Sequence, residues 1–176
     1  MNNEILLHIC CGICAGYSAE RLRQDGFQVR GFFYNPNIYP TEEYKKRLEV
    51  ARTVAQNLSF ELLEGPYEAD EWLSLSETLK NEPEGGKRCE LCFRLRLAKT
   101  AAKAQELNIP FFTTTLTISP HKDASVINRV GKELSPEGFK EYDFKKKDGF
   151  KKTTQIAKKL DLYHQHYCGC VYTIKK

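Results

Sequence analysis

The chain alternates between short apolar runs and longer stretches whose apolar residues recur every three or four positions. "EILLHI" (4–9) is a short apolar run and predicts a buried strand. "AGYSAERLRQDG" (15–26) predicts a helix ended by Gly26. "FQVRGFFY" (27–34) is rich in β-formers and predicts a second strand. "NPNIYP" (35–40) predicts a loop, because its two prolines block regular pairing. A helix is expected over 41–58, capped by Thr41, with Tyr44, Leu48, Ala51, Val54, Ala55 and Leu58 at helical spacing. Then follow a strand over 59–65, a helix over 68–80, a loop over 81–87 and a long helix over 89–108. "PFFTTTL" (110–116) predicts a fourth strand, "TISPH" (117–121) a turn, and helices are expected over 122–134 and 149–163. This alternation of strand and helix predicts one domain over 1–176, with a parallel, three-layer α/β sheet of Rossmann-like type.

In open parallel sheets, ligands bind beyond the carboxyl ends of the strands. "CCGIC" follows the first strand, "YNPN" the second and "TISPHK" the fourth, so these three loops are expected to converge on one site. The seven cysteines fall into three tight groups, Cys10-Cys11-x-x-Cys14, Cys89-x-x-Cys92 and Cys168-x-Cys170. Close pairs of this kind are thiolate ligand patterns, whereas scattered buried thiols would have no such spacing. One zinc ion or one [4Fe–4S] cluster takes four ligands, which leaves three thiols for a second metal or a redox role. Cys89 and Cys92 are expected to start the long helix, whose amides favour thiolates. A thiol–disulfide enzyme would use Cys11-x-x-Cys14 and leave the other five cysteines unexplained. A phosphate loop is a weaker reading, because "CCGICAG" matches neither standard glycine pattern.

Composition and charge then narrow the class. At 41% apolar residues the chain can fill a core, and its longest apolar runs are too short to span a membrane. "MNNE" has no basic leader character, so a cytoplasmic protein is expected, and a reducing compartment argues against a disulfide framework. The net charge of +4 is mild but unevenly placed. "DFKKKDGFKK" concentrates Lys145, Lys146, Lys147, Lys151 and Lys152, which form either a solvated face or a contact for a phosphate backbone. His121 and Lys122 sit in a strand-end loop, where function is common. Tyr34, Asn35 and Asn37 can hydrogen-bond a polyhydroxylated ligand, although "NPN" is also ordinary turn chemistry. His8, Thr113 to Thr115 and Trp72 fit structural roles, and Arg88 can pair with a metal group's charge or a phosphate.

The segments "LLHICCGICA", "FFYNPNIYPTEEYKKR", "GGKRCELCFRLRLAKTA", "FFTTTLTISPHKD", "DFKKKDGFKKT" and "YCGCVYT" together resemble the cobalamin-independent epoxyqueuosine reductases. The resemblance runs nearly end to end. It implies an adenine-nucleotide-hydrolase-like variant of the fold and a tRNA-modifying reductase that converts epoxyqueuosine to queuosine at the anticodon wobble position. It further implies a [4Fe–4S] cluster, a second iron beside it, and an external electron donor that no residue identifies. Carried over by motif, Cys11, Cys89, Cys92 and Cys170 would hold the cluster, and Cys10, Cys14 and Cys168 the second iron. In part of the family an aspartate stands where this chain has Cys14. His121 and Tyr34 become the candidate proton donors. Asn35, Asn37, Lys122 and the lysines of 145–152 become candidates for contact with the anticodon stem-loop. A zinc-stabilised RNA-binding module without catalysis and a thiol–disulfide oxidoreductase are the competing readings.

Overall fold

The computed structural model describes residues 2–174. Strands β1 (Glu4–His8), β2 (Gln28–Phe33), β3 (Leu62–Glu64) and β4 (Phe111–Thr114) form one sheet in the order β3-β2-β1-β4. Every pairing is parallel, with His8 opposite Phe32 on one side and Thr114 on the other. Parallel neighbours need crossover connections, and helices supply them. The helices are α1 (Gly12–Gln24), α2 (Thr41–Asn57), α3 (Ala69–Ser76), α4 (Lys87–Glu106), α5 (Ala124–Leu134) and α6 (Gly149–Lys159).

Side chains of a strand alternate between its faces, and here each face meets its own core. Ile5, Leu7 and Ile9 pack with Ala15 and Leu22 of α1, Ala51 and Val54 of α2 and Ala157 of α6. Leu6 points the other way and packs with Leu97 of α4 and Ile127 and Val130 of α5. The result is the expected three-layer α/β arrangement. Among the described residues no helix is long and apolar enough to cross a membrane.

The element edges depart from the sequence expectation in ways that bear on the site. Helix α1 begins at Gly12, three residues early, so Cys14 lies inside its first turn and extended Cys11 is its N-cap. That early start needs a glycine: a Cβ at position 12 would sit 2.4 Å from the Ala51 nitrogen. Thr41 is the first helical residue of α2, and Pro40 takes the cap position without a side-chain bond. Helix α4 starts at Lys87, so Cys89 lies within its first turn. Strand β4 ends at Thr114, and residues Thr115–Ile118 turn as 3-10 helix, with Leu116 N–H donating to Thr114 Oγ1. Helix α5 starts at Ala124, because the Asp123 carboxylate accepts from Ser125 N–H. Helix α6 stops at Lys159, since Asp161 adopts a left-handed backbone. Gly26, at φ +92°, closes α1 through its N–H to Arg23 O.

Candidate metal centre

Strand β1 ends at His8, which is fully buried. Its Nε2 lies 2.9 Å from the Tyr34 carbonyl and must donate to it; its Nδ1 lies 2.9 Å from Thr114 Oγ1 and accepts. Burial holds the imidazole near a pKa of about 4, so the ring is a neutral tie between the ends of β1, β2 and β4. Asn35 adds a second tie, with Nδ2 donating to Ile9 O and Oδ1 accepting from Arg96. Both atoms of the Asn35 amide are therefore engaged within the protein. The backbone that leads into Cys10 is fixed from three sides.

Cys10, Cys11 and Cys14 present their sulfurs within 4.8 Å of one another. Cys11 Sγ and Cys14 Sγ are 2.7 Å apart, and Thr115 Oγ1 donates to Cys10 Sγ while accepting from its N–H. Hydrogen bonds from Cys11 and Cys14 hold the Cys10 thiol well below its usual range. The Cys11 and Cys14 thiols are correspondingly held up, first because Cys10 keeps their protons on them. Three sulfurs this close together are a donor set that one soft cation would satisfy.

The other four cysteines line one cleft. Cys89 and Cys92 come from the first two turns of α4, and Cys168 and Cys170 from the chain's carboxyl-terminal tail. Gly85 N–H, in the loop before α4, donates to Cys89 Sγ. Burial pushes the Cys92 thiol up to about 11 and raises Cys170 as well. The geometry thus groups the seven thiols as three and four. Cys11 lies with Cys10 and Cys14, and Cys168 lines the cleft with Cys89, Cys92 and Cys170, whereas the resemblance implies Cys11 for the cluster and Cys168 for the second iron.

The tail is held by a residue with no place in the sequence reading. Arg47 of α2 is buried and pairs with Glu43 at 2.7 Å. Its other nitrogens donate to Tyr167 O and Cys168 O, and its guanidinium lies over the Tyr167 ring. Tyr163 donates to the second Glu43 oxygen. Gly169, at φ +102°, donates no side chain where a Cβ would meet Ile38 and Arg47, and its carbonyl accepts from Tyr39 N–H. The only advance signal was helical: Glu43 and Arg47 are four apart on α2, a pattern usually found on exposed faces.

Two further guanidiniums line the cleft. Arg88 and Arg96 are both buried, and no carboxylate pairs with either among the described residues. Arg88 Nη1 donates to the carbonyls of Leu79, Lys80 and Glu82, and Arg96 Nε to Cys92 O. Buried cations without counter-charges are costly, so this cleft is built to receive negative charge. Three lining residues also carry buried polar atoms without a partner: Asn37 Oδ1, Trp72 Nε1 and Arg88 Nε. Four thiols, two unneutralised guanidiniums and two idle N–H donors fit an anionic metal–sulfur group.

The remaining candidates fall into distinct places. His121 and Lys122 line the cleft, and Lys122 also favours the Cys10 thiolate, so this loop stands between the two thiol groups. Gln165 of the tail reaches Cys11. Asn37 lines the cleft. Tyr34 does not: its hydroxyl donates to Glu68 Oε2 at 2.6 Å, Lys99 lies over its ring, and burial raises its pKa. Lys145 is tied down, its Nζ donating to Thr117 O and Lys122 O. Lys146, Lys147 and Lys151 are exposed, and the exposed Lys152 lies over the Tyr17 ring. Tyr17 is one turn beyond Cys14 on α1 and reaches Lys146 O, so the lysine run lies beside the three-thiol group.

The family model described as epoxyqueuosine reductase QueH matches residues 5–176. A Streptococcus pyogenes epoxyqueuosine reductase QueH is 39% identical over 181 residues, covering 98% of this chain and 71% of that protein. The Haemophilus influenzae protein of the same name is 34% identical, covering 99% and 73%. The Thermotoga maritima protein, also so named, is 36% identical, covering 97% and 90%. With the whole core and both thiol groups inside the matched region, the chain belongs to the epoxyqueuosine reductase QueH family.

Proposed function

We propose that the protein reduces epoxyqueuosine to queuosine at the wobble position of tRNA, using a [4Fe–4S] cluster and a second iron. The observation that carries this reading is the division of the thiols into four and three, on either side of the His121–Lys122 loop. Four cysteines match the ligand number of a cluster. Three thiolates on a strand-to-helix turn match a single metal with an open position. Bound there, the two groups would supply electrons and a Lewis acid for opening the epoxide.

Removing the epoxide oxygen as water consumes two electrons and two protons. The electrons come ultimately from an external donor. His121 is the proton carrier best supported by position, since it is exposed in the lining of the cleft while Tyr34 is committed to Glu68. Asn37 offers its unpartnered Oδ1 to a hydroxyl of the substrate ring. Lys122 places a positive charge between the thiol groups and favours thiolate at Cys10. Lys146, Lys147, Lys151 and Lys152 are positioned for anticodon-loop phosphates. Lys147 and Asp148 both take left-handed backbones there, a costly turn that projects the flanking lysines outward.

Anaerobic purification with iron, sulfide and zinc analysis tests the metals, and nucleoside analysis of epoxyqueuosine-bearing tRNA after incubation with a reductant tests the activity. About five irons per chain and conversion to queuosine are expected. A colourless zinc protein that binds tRNA without changing it would establish the non-catalytic module instead. Activity on protein disulfides that survives metal removal would establish a thiol oxidoreductase.

A further inference from the structure

The cleft contains more donor capacity than its own hydrogen bonds use. Trp72 is 2% exposed, and its indole packs against Cys92 and Cys170. Its Nε1–H has no acceptor within the protein, nor does Arg88 Nε–H on the same cleft. An unpaired buried donor forfeits its hydrogen bond to water without replacement, so two of them on one cleft mark a missing acceptor. The apolar face of the indole is fully used by packing, which leaves the N–H as its one unexplained feature.

We propose that Trp72 Nε1–H and Arg88 Nε–H donate to sulfur atoms of the group held by Cys89, Cys92, Cys168 and Cys170, and thereby raise its reduction potential. The inference rests on the reading of that site as an iron–sulfur centre. Reduction adds one electron to an already anionic group, so donors aimed at its sulfurs stabilise the reduced form more than the oxidised one. Two buried guanidiniums without carboxylates act in the same direction. Arg88 is also fixed by three carbonyls, so its Nε cannot swing away to find another acceptor. Trp72 and Arg88 are positioning and tuning residues in this scheme, and neither needs to touch the substrate.

Trp72 is the chain's single tryptophan, which permits a clean test. Trp72→Phe removes the N–H and keeps an aromatic ring. Biosynthetic replacement of tryptophan by benzothienylalanine exchanges only the N–H for sulfur and protects against a packing artefact. Both proteins are reconstituted anaerobically, assayed for iron and sulfide, and titrated redox-potentiometrically with electron paramagnetic resonance detection. Expected are wild-type iron and sulfide and a reduction equilibrium weakened about tenfold, equivalent to about 59 mV for one electron. Nitrogen-15 indole in the wild-type protein should show hyperfine coupling to the reduced centre in the absence of tRNA, lost in Trp72→Phe. Fully loaded benzothienylalanine protein with the wild-type potential, or an indole nitrogen without coupling, would overturn the assignment of the donor. Wild-type protein that takes up no iron and sulfide would overturn the iron–sulfur reading itself, a result separable from an unchanged potential in a loaded protein.

Discussion

Arg47→Met is the perturbation whose consequences the structure specifies most closely. It removes a buried guanidinium that pairs with Glu43 and grips two consecutive carbonyls of the tail, at Tyr167 and Cys168. The Glu43 carboxylate would stay buried with the Tyr163 hydroxyl as its remaining partner. Breaking one side of a buried ion pair costs about 3–5 kcal/mol. For a chain of this length each kcal/mol moves the Tm by about 2–4 °C, so a fall of roughly 6–20 °C is expected. Glu43→Gln in the same background should recover part of the loss, because no charge is then stranded. The local effect is more specific than the global one. The tail carries two of the four thiols of the cleft, so the variant should lose cluster iron at temperatures where α2 and the sheet remain folded. Alkylation of the metal-free protein followed by peptide mass spectrometry should show Cys170, buried in the parent, becoming accessible before Cys11. Arg47→Lys should fail to rescue, since an ammonium cannot reproduce the planar fork. If Arg47→Met keeps both the parent Tm and the parent iron content, the tail is held by something else and the clamp is refuted.

Cys14→Ala should remove about one iron in five and leave the cluster's spectrum in place, while Cys92→Ala should bleach the cluster; iron counting with absorption spectra distinguishes these, and Cys11→Ala should behave like Cys14→Ala, so that loss of the cluster in Cys11→Ala would restore the partition implied by the resemblance. Cys14→Asp should keep partial turnover, because a carboxylate also binds iron. Tyr34→Phe should cost about 1 kcal/mol of stability and leave kcat near the parent value, whereas His121→Gln should lower kcat by about 10²–10⁴ with iron content unchanged; the reverse pattern in single-turnover assays would reassign the proton carrier. Lys146→Ala with Lys147→Ala should reduce the salt dependence of stem-loop binding by up to about two log–log units, measured by titration at several salt concentrations. Lys145→Ala should instead lower thermal stability, since its ammonium ties residues 117 and 122.

The sheet was legible because its strands are apolar runs too short for helices, and their parallel order followed from the helices between them. The helix starts were less legible. Nothing in "CCGICAG" announces that Gly12 touches the backbone of α2, which is the contact that lets α1 begin beneath the thiols. The thiols themselves stood out as a set by spacing alone. Their grouping did not, because chain distance says nothing about where a tail returns. That return is decided by Arg47, Tyr39 and the left-handed Gly169, none of which carries metal-ligand chemistry.

A signal for the cleft was nevertheless present in α4. Arg88, Cys92 and Arg96 are spaced four apart and so share one helix face. Phe93, Leu97, Thr100 and Ala104 show that α4 is buried along its adjoining stripe. A helix that turns two arginines inward, at the same face as a cysteine, needs anions to meet them. No aspartate or glutamate occupies α4 between Glu90 and Glu106, so the counter-charge had to come from outside the helix. Glu84 and Asp123 also line the cleft, but neither pairs with Arg88 or Arg96 among the described residues, and Glu90 of α4 faces Arg94 and Arg129 on the solvent side. The thiols of Cys89, Cys92, Cys168 and Cys170 line the same cleft, and they carry full negative charge only when deprotonated. Burial opposes that charge at Cys92, and Arg96 favours it. The arginines and the thiols therefore account for each other only when a cation or an iron–sulfur group replaces the thiol protons, which ties the folding of this cleft to its loading.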